Sequence, residues 1–229
     1  NFNASLSGQV VDATARYNLN NLAAGGKRDP VETGVLGRLL TNVRQEPRLA
    51  RPIADFVAAG QALTVDPDAA TDTTTQTPRK GNPMPILRVD DLLAVPGVKP
   101  ETVEALRPFV IVLPAQGTTV NVNTAPAEVL AAVLPGCSMS QANALVEQRK
   151  RVPWNDVQQF NTELQCRGNE QGGAQGELKI SITSNYFLVQ SRIRLDRAAL
   201  DAESLVQKGS LTNLGAAGGG VNVIWTRQN

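Results

Sequence analysis

The sequence predicts an α+β protein in which a large α-helical domain is inserted into an antiparallel sheet, and three observations lead there. Apolar and polar residues alternate near both ends of the 229-residue chain, as half-buried strands require. Between those ends the apolar period lengthens to that of helices, and a helix, Pro-Gly hairpin, helix pattern occurs twice. The division is 1–24 for the first part of the sheet, 25–183 for the helical insertion and 184–229 for the C-terminal strands.

Leu6, Val10, Val11, Tyr17 and Leu19 fall among polar residues from Ser5 to Leu22 and read as one strand or two short ones, with Asn18, Asn20 and Asn21 marking a turn. Val35, Leu36, Leu39, Leu40 and Val43 then recur at helical spacing, and Asp29 or Thr33 is placed to cap the start. Ile53, Phe56 and Val57 indicate a second helix. After Leu63 an Asp- and Thr-rich run, followed by prolines from Pro78 to Pro85, offers little to bury and predicts an exposed loop. Residues 92–106 and 130–145 are the two hairpin units; Pro96-Gly97 and Pro135-Gly136 reverse the chain, while Lys99-Pro100 and Ser138 open the following helices. Ser138 and Gln141 have capping-box spacing. Val120 to Asn123 is extended, Thr124 is a candidate N-cap with Pro126 in the first turn, and Trp154 to Leu164 suggests a short helix entered at Asn155. Tyr186 to Leu195 alternates as a strand, and Val221 to Trp225 forms a last one. Alanine and glutamate in 198–208 favour helix, but an antiparallel meander ending at Gly209 fits the flanking strands better.

Composition narrows the function. The formal net charge of +1 gives no basic excess of the kind that phosphate neutralisation needs, so nucleic acid is not an expected partner. No run approaches the length of a membrane span. With no histidine in the chain, the usual general base and the commonest zinc ligand are missing, and no enzyme activity is expected. Asp90 and Asp91 read as helix-start acids, and the glycines at 172–173 and between Gly215 and Gly220 lack nucleotide-loop spacing. Cys137 and Cys166 are the only cysteines; they fit one disulfide in an oxidising compartment, with two buried thiols as the alternative. A closed loop of about 30 residues would stabilise the fold by roughly 3–4 kcal/mol. Tyr17, Phe187, Trp225, Ile193 and Leu195 serve either core or interface, and core is the default for alternating strand residues.

Four separated segments carry a resemblance: Arg16-Tyr-Asn-Leu-Asn-Asn-Leu22, Val120-Asn-Val-Asn-Thr-Ala125, Ser184-Asn-Tyr-Phe-Leu188 and Val223-Ile-Trp225. Together they resemble the K-type minor pseudopilins of bacterial type II secretion. The resemblance implies a pseudopilin-like sheet with a large inserted α-helical domain, and a hydrophobic N-terminal helix, not among these residues, that anchors the subunit in the inner membrane and packs in the fibre. It also implies a periplasmic location at the pseudopilus tip, in complex with the I-type and J-type minor pseudopilins and beside other pseudopilins, for protein secretion across the outer membrane. Calcium binding in the inserted domain is a further implication, and Asp66, Asp68 and Asp72 are the nearest candidates. Their spacing resembles the start of an EF-hand loop, yet no glycine takes the sixth position and Thr77 stands where a closing glutamate belongs, so solvated loop acids are the alternative. The rival functional reading is a helix-hairpin-helix DNA-binding protein. It is weakened by Lys99 and Ser138, which occupy the places of the second glycines that let such hairpins approach phosphates.

Overall fold

Several helices in this chain begin where a side-chain oxygen takes up free backbone amides. The computed structural model describes residues 4–61, 84–164, 166, 178–195, 198–209 and 220–228. Strand β1 (Ala4–Asp12) leads through a 3-10 turn at Ala13–Ala15 into β2 (Tyr17–Asn18), a second such turn at Leu19–Leu22, and the small hairpin of β3 (Ala23–Ala24) and β4 (Lys27–Arg28). Asp29 caps α1 (Pro30–Asn42), its Oδ1 accepting from the amides of Val31 and Glu32 at 2.8 and 3.1 Å, with Pro30 opening the first turn. Val35, Leu36, Leu39 and Leu40 form the buried stripe of α1, which packs on α2 (Ala50–Gln61) and on α4 (Ala127–Val133).

Between α2 and α4 lie α3 (Pro100–Leu106), β5 (Val110–Ile111) and β6 (Val120–Asn121); α5 (Met139–Arg151), α6 (Val157–Glu163) and β7 (Ile180–Ser181) follow. The chain closes with β8 (Tyr186–Leu195), β9 (Ala198–Lys208) and β10 (Val221–Gln228). These last three join β1 in an antiparallel sheet of order β1-β8-β9-β10, so the first strand pairs with one, β8, met more than 170 residues later. Residues 198–208 are strand, because pairing along both edges outweighs their helical propensity.

The two hairpin units differ from each other. In the second, α4 and α5 flank Gly136, whose φ of 73° suits glycine, and Ser138 and Gln141 exchange the reciprocal bonds of a capping box. In the first, residues Val89–Ala94 wind as a 3-10 helix instead of an α-helix. The segment is short, Asp91 Oδ2 holds the amides of Leu87 and Arg88, and Pro96 keeps Val95 extended. Thr124 does not cap α4; Pro126 takes the N-cap position, and the Thr124 hydroxyl donates to Asp12 instead. The last short helix opens at Asp156, whose carboxylate takes the amide of Gln159.

Two apolar clusters result. The larger fills the helical body, with Tyr17, Leu36, Ile53, Leu106, Leu130 and Phe160 essentially without solvent contact. The smaller, built on Ala13, Ile111, Leu113, Tyr186, Leu188 and Leu205, joins that body to one face of the sheet. Cys137, in the α4–α5 turn, is bonded to Cys166 beyond α6, with Cα atoms 4.5 Å apart and a sequence separation of 29.

Candidate partner-binding surface

The sheet is held on the helical body by polar side chains that each satisfy several partners. Asp12 ends β1, and its Oδ1 accepts from the amide and hydroxyl of Thr14 at 2.8 and 2.7 Å. Its Oδ2 accepts from Asn121 Nδ2 at 3.0 Å, from the Ser184 hydroxyl at 2.5 Å and from the Thr124 hydroxyl. One carboxylate thus ties together β1, the turn after β6 and the lead-in to β8. Asn18 and Asn21 do comparable work beside it. Asn18 donates to Ala115 O at 2.7 Å and accepts from the amide of Leu113 at 3.0 Å, while Asn21 donates to Thr118 O at 2.8 Å and accepts from the amide of Thr118 at 3.0 Å. The asparagines that mark a turn in sequence are therefore clamps on residues 113–118. Asn123 makes a similar two-way pair with the backbone of Trp154, at 2.9 and 3.0 Å. Three of the four segments that carry the resemblance meet around these contacts.

So anchored, the sheet presents two unlike faces. On the inner one, Val11, Leu188, Leu205 and Trp225 stand in register and pack against the helical body. Farther along that face, where the sheet overhangs the body, the same rows become polar: Gln190 donates to Glu203 at 3.1 Å, and Arg192 grips Asp201 in a forked pair at 2.6 and 2.9 Å. The outer face carries exposed apolar side chains at several levels, with Ser191, Ser204 and Thr226 between them. Leu6 lies opposite Ile193 and Ile193 opposite Leu200; Val10 lies opposite Val189; Phe187, Val206 and Val223 form a third row. Leu6 is 75% exposed, Val10 66% and Val223 63%, so these side chains stand in solvent. A sheet with one solvated face ordinarily turns polar residues outward, and large apolar side chains gathered in solvent in this way mark a contact surface.

The remaining sequence candidates separate. Tyr17 is core, its hydroxyl donating to Glu32 Oε2 at 2.8 Å, and burial beside that carboxylate pushes its pKa well above the usual value. Trp225 is half-buried against the smaller cluster, and Ile193, 42% exposed, belongs to the outer face. Asp66, Asp68 and Asp72 lie outside the described residues. Among the described residues no three carboxylates or thiolates gather to hold a metal, and with Thr77 at the closing position the loop acids do not make an EF-hand donor set. The basic end of α5 is engaged internally: Arg149 donates to Val122 O at 2.7 Å, with burial lowering its pKa, and Lys150 pairs with Glu147 at 2.6 Å. That leaves little of the run for phosphate contacts.

Two models of one family, type II secretion system protein K, match residues 15–115 and 120–181, together most of the chain. The chain belongs to this protein K family. It is similar to protein K of Pectobacterium carotovorum subsp. carotovorum, at 26% identity over 218 residues, covering 88% of this chain and 65% of the relative. Protein K of Klebsiella pneumoniae is 25% identical over 217 residues, with 89% and 66% covered. The chain therefore spans just under two thirds of the length of these relatives. A chain in the crystal structure of the GspK-GspI-GspJ complex from the enterotoxigenic Escherichia coli type 2 secretion system shares the fold, with a TM-score of 0.69 at 22% identity, covering 100% of this chain and 82% of that one. The α+β architecture, a sheet with helices between its first and second strands, is the architecture of that neighbour.

Proposed function

We propose that this K-family chain is the periplasmic part of a minor pseudopilin at the tip of the type II secretion pseudopilus, an assembly subunit and not an enzyme. There it joins I-type and J-type minor pseudopilins and caps a fibre anchored in the inner membrane. The observation that carries this reading is the bare apolar outer face of the sheet, with Leu6, Val10 and Val223 in solvent, which is the surface an assembly subunit offers to the helices of a fibre. Family membership and the likeness to a chain from a GspK-GspI-GspJ complex support the same partners. Calcium plays no part in this reading, and calorimetry with calcium tests the loop acids separately.

The test is size-exclusion chromatography with light scattering on this chain mixed with the soluble I-type and J-type subunits of the same organism. A stable species containing all three is the expected result. If the chain elutes alone at every concentration, the assembly role is wrong.

A further inference from the structure

Where the inner face of the sheet overhangs the helical body, the two enclose a cleft of about 400 Å³, within the range of ligand-sized sites. Its floor and walls include Leu188, Val110 and the ring of Trp225, and its rim carries four arginines, Arg16, Arg88, Arg107 and Arg227, against two acids, Asp90 and Glu203. Two of the arginines are spoken for by acids. Arg107 reaches Asp90 at 2.7 Å and Glu104 at 2.8 Å, and Arg88 lies 4.0 Å from Asp91. Arg227 stacks over the Trp225 ring at 4.0 Å and donates to Leu87 O at 3.1 Å, which uses no opposing charge. Arg16 is half-buried, and its guanidinium makes no hydrogen bond or ion pair among the described residues. The acid whose charge it feels is Glu203, which itself accepts from Gln190; burial lowers the Arg16 pKa more than Glu203 raises it.

A guanidinium half withdrawn from water without a partner side chain loses part of its hydration, and a carboxylate is the group whose two oxygens match its fork. We propose that this cleft binds an acidic segment of a partner polypeptide, a carboxylate pairing with Arg16 and Arg227 while an adjacent apolar side chain lies on Trp225 and Leu188. Arg16 and Arg227, the two guanidiniums of the rim without an ion pair among the described residues, suit one or two carboxylates and not a polyanion. The cleft is on the opposite side of the sheet from the apolar outer face, so this inference stands or falls separately from the assembly role of that face.

The experiment titrates the isotope-labelled chain with an acetylated, amidated hexapeptide of alternating leucine and glutamate, followed by amide and indole NMR shifts. Saturable shifts at Arg16, Trp225 and Arg227 are expected, with affinity falling about tenfold in Arg16→Met as a charge-assisted fork is lost. Because the Arg16 guanidinium makes no hydrogen bond or ion pair among the described residues, Arg16→Met should melt at the same temperature as the parent or higher. Arg16→Lys, which keeps the charge without the fork, should fall between the two. The proposal is overturned by equal binding of the glutamine analogue or of inorganic phosphate, by shifts that map elsewhere, by no shift at millimolar peptide, or by a lower melting temperature for Arg16→Met.

Discussion

Replacing Asp12 by alanine should loosen the sheet from the helical body. The carboxylate accepts from three side chains far away in sequence, Asn121, Thr124 and Ser184, besides the local pair with Thr14. Hydroxyls at a half-exposed position can turn to water, but Asn121, only 4% exposed, cannot readily do so. Asn121 Nδ2 keeps its bond to the Ser184 hydroxyl at 2.8 Å, so counting its one N–H left without an acceptor and two weakened charge-assisted bonds gives a loss of roughly 3–4 kcal/mol for Asp12→Ala. Asp12→Asn keeps one acceptor oxygen but turns an amide toward the Asn121 amide, at a cost of about 1–2 kcal/mol. Urea denaturation measures both, and an unchanged m-value would show that the midpoint shift reports stability. Hydrogen exchange adds the spatial test: amides of β1 and β8 should lose protection while those of α1 and α4 keep it. A loss below about 1 kcal/mol for Asp12→Ala, or equal losses for the two variants, would refute the reasoning.

Other outcomes follow from single contacts. Converting Cys137 and Cys166 together to alanine opens a loop of 29 residues, and should cost about 3.5 kcal/mol by loop entropy, read as a lower urea midpoint that reductant reproduces in the parent. Tyr17→Phe removes the phenol that donates to Glu32 and should cost about 1–2 kcal/mol. Because the Tyr17 pKa is raised in the folded state, its contribution is fully present below the unfolded value near pH 10 and disappears above it. Alkaline melting curves of the parent should therefore fall off sooner than those of Tyr17→Phe. On the acid side, hydrogen bonds from Arg107 and Arg192 hold Asp90 and Asp201 below the usual carboxylate range. Such contributions are present above the unfolded pKa and lost as pH falls through the folded one, so melting temperature should be level from about pH 6 to 8 and decline below about pH 4. Leu6→Glu, at a side chain 75% exposed, should leave melting within a degree or two of the parent yet abolish the three-subunit species on light scattering.

Much of the fold is written in short-range pattern. The Asp29-Pro30 start and the stripe from Val35 to Leu40 specify α1 locally, and alternation in Tyr186 to Leu195 specifies β8. What escapes pattern reading depends on distant partners. Asp12 looks like any strand-end acid, because the residues it binds lie 109 to 172 positions away. Thr124 has the chemistry of a cap, and only the nearness of Asp12 diverts it. The 3-10 turn at 89–94 shares its apolar spacing with an α-helix; the bonds from Asp91 and the proline two residues beyond it decide the tighter winding. The partner surface is hidden for a different reason. Alternation separates the two faces of a strand but does not say which of them meets the body, so an outward apolar row and an inward one read alike.

The chemistry of the overhang shows what selects the outer face. There both faces of the sheet leave the helical body, and the inner one answers solvent as expected, with Gln190, Arg192, Asp201 and Glu203 bonded among themselves. If water alone shaped the outer face, it would be polar over the same strands; instead Leu6, Ile193 and Leu200 run across them. The Leu6, Ile193, Leu200 row crosses β1, β8 and β9 and the Phe187, Val206, Val223 row crosses β8, β9 and β10, so together they reach over four strands, a width of three strand spacings, or about 14–15 Å. One helix, about 10–12 Å across with its side chains, seated over β8 and β9 would cover Ile193 and Leu200 and leave Leu6 or Val223 at its margin. A second contact is needed to finish the burial. A surface too wide for one helix is what a subunit wedged between neighbours requires, and substitutions at Leu6 and at Val223 should therefore disturb different contacts in the assembled complex.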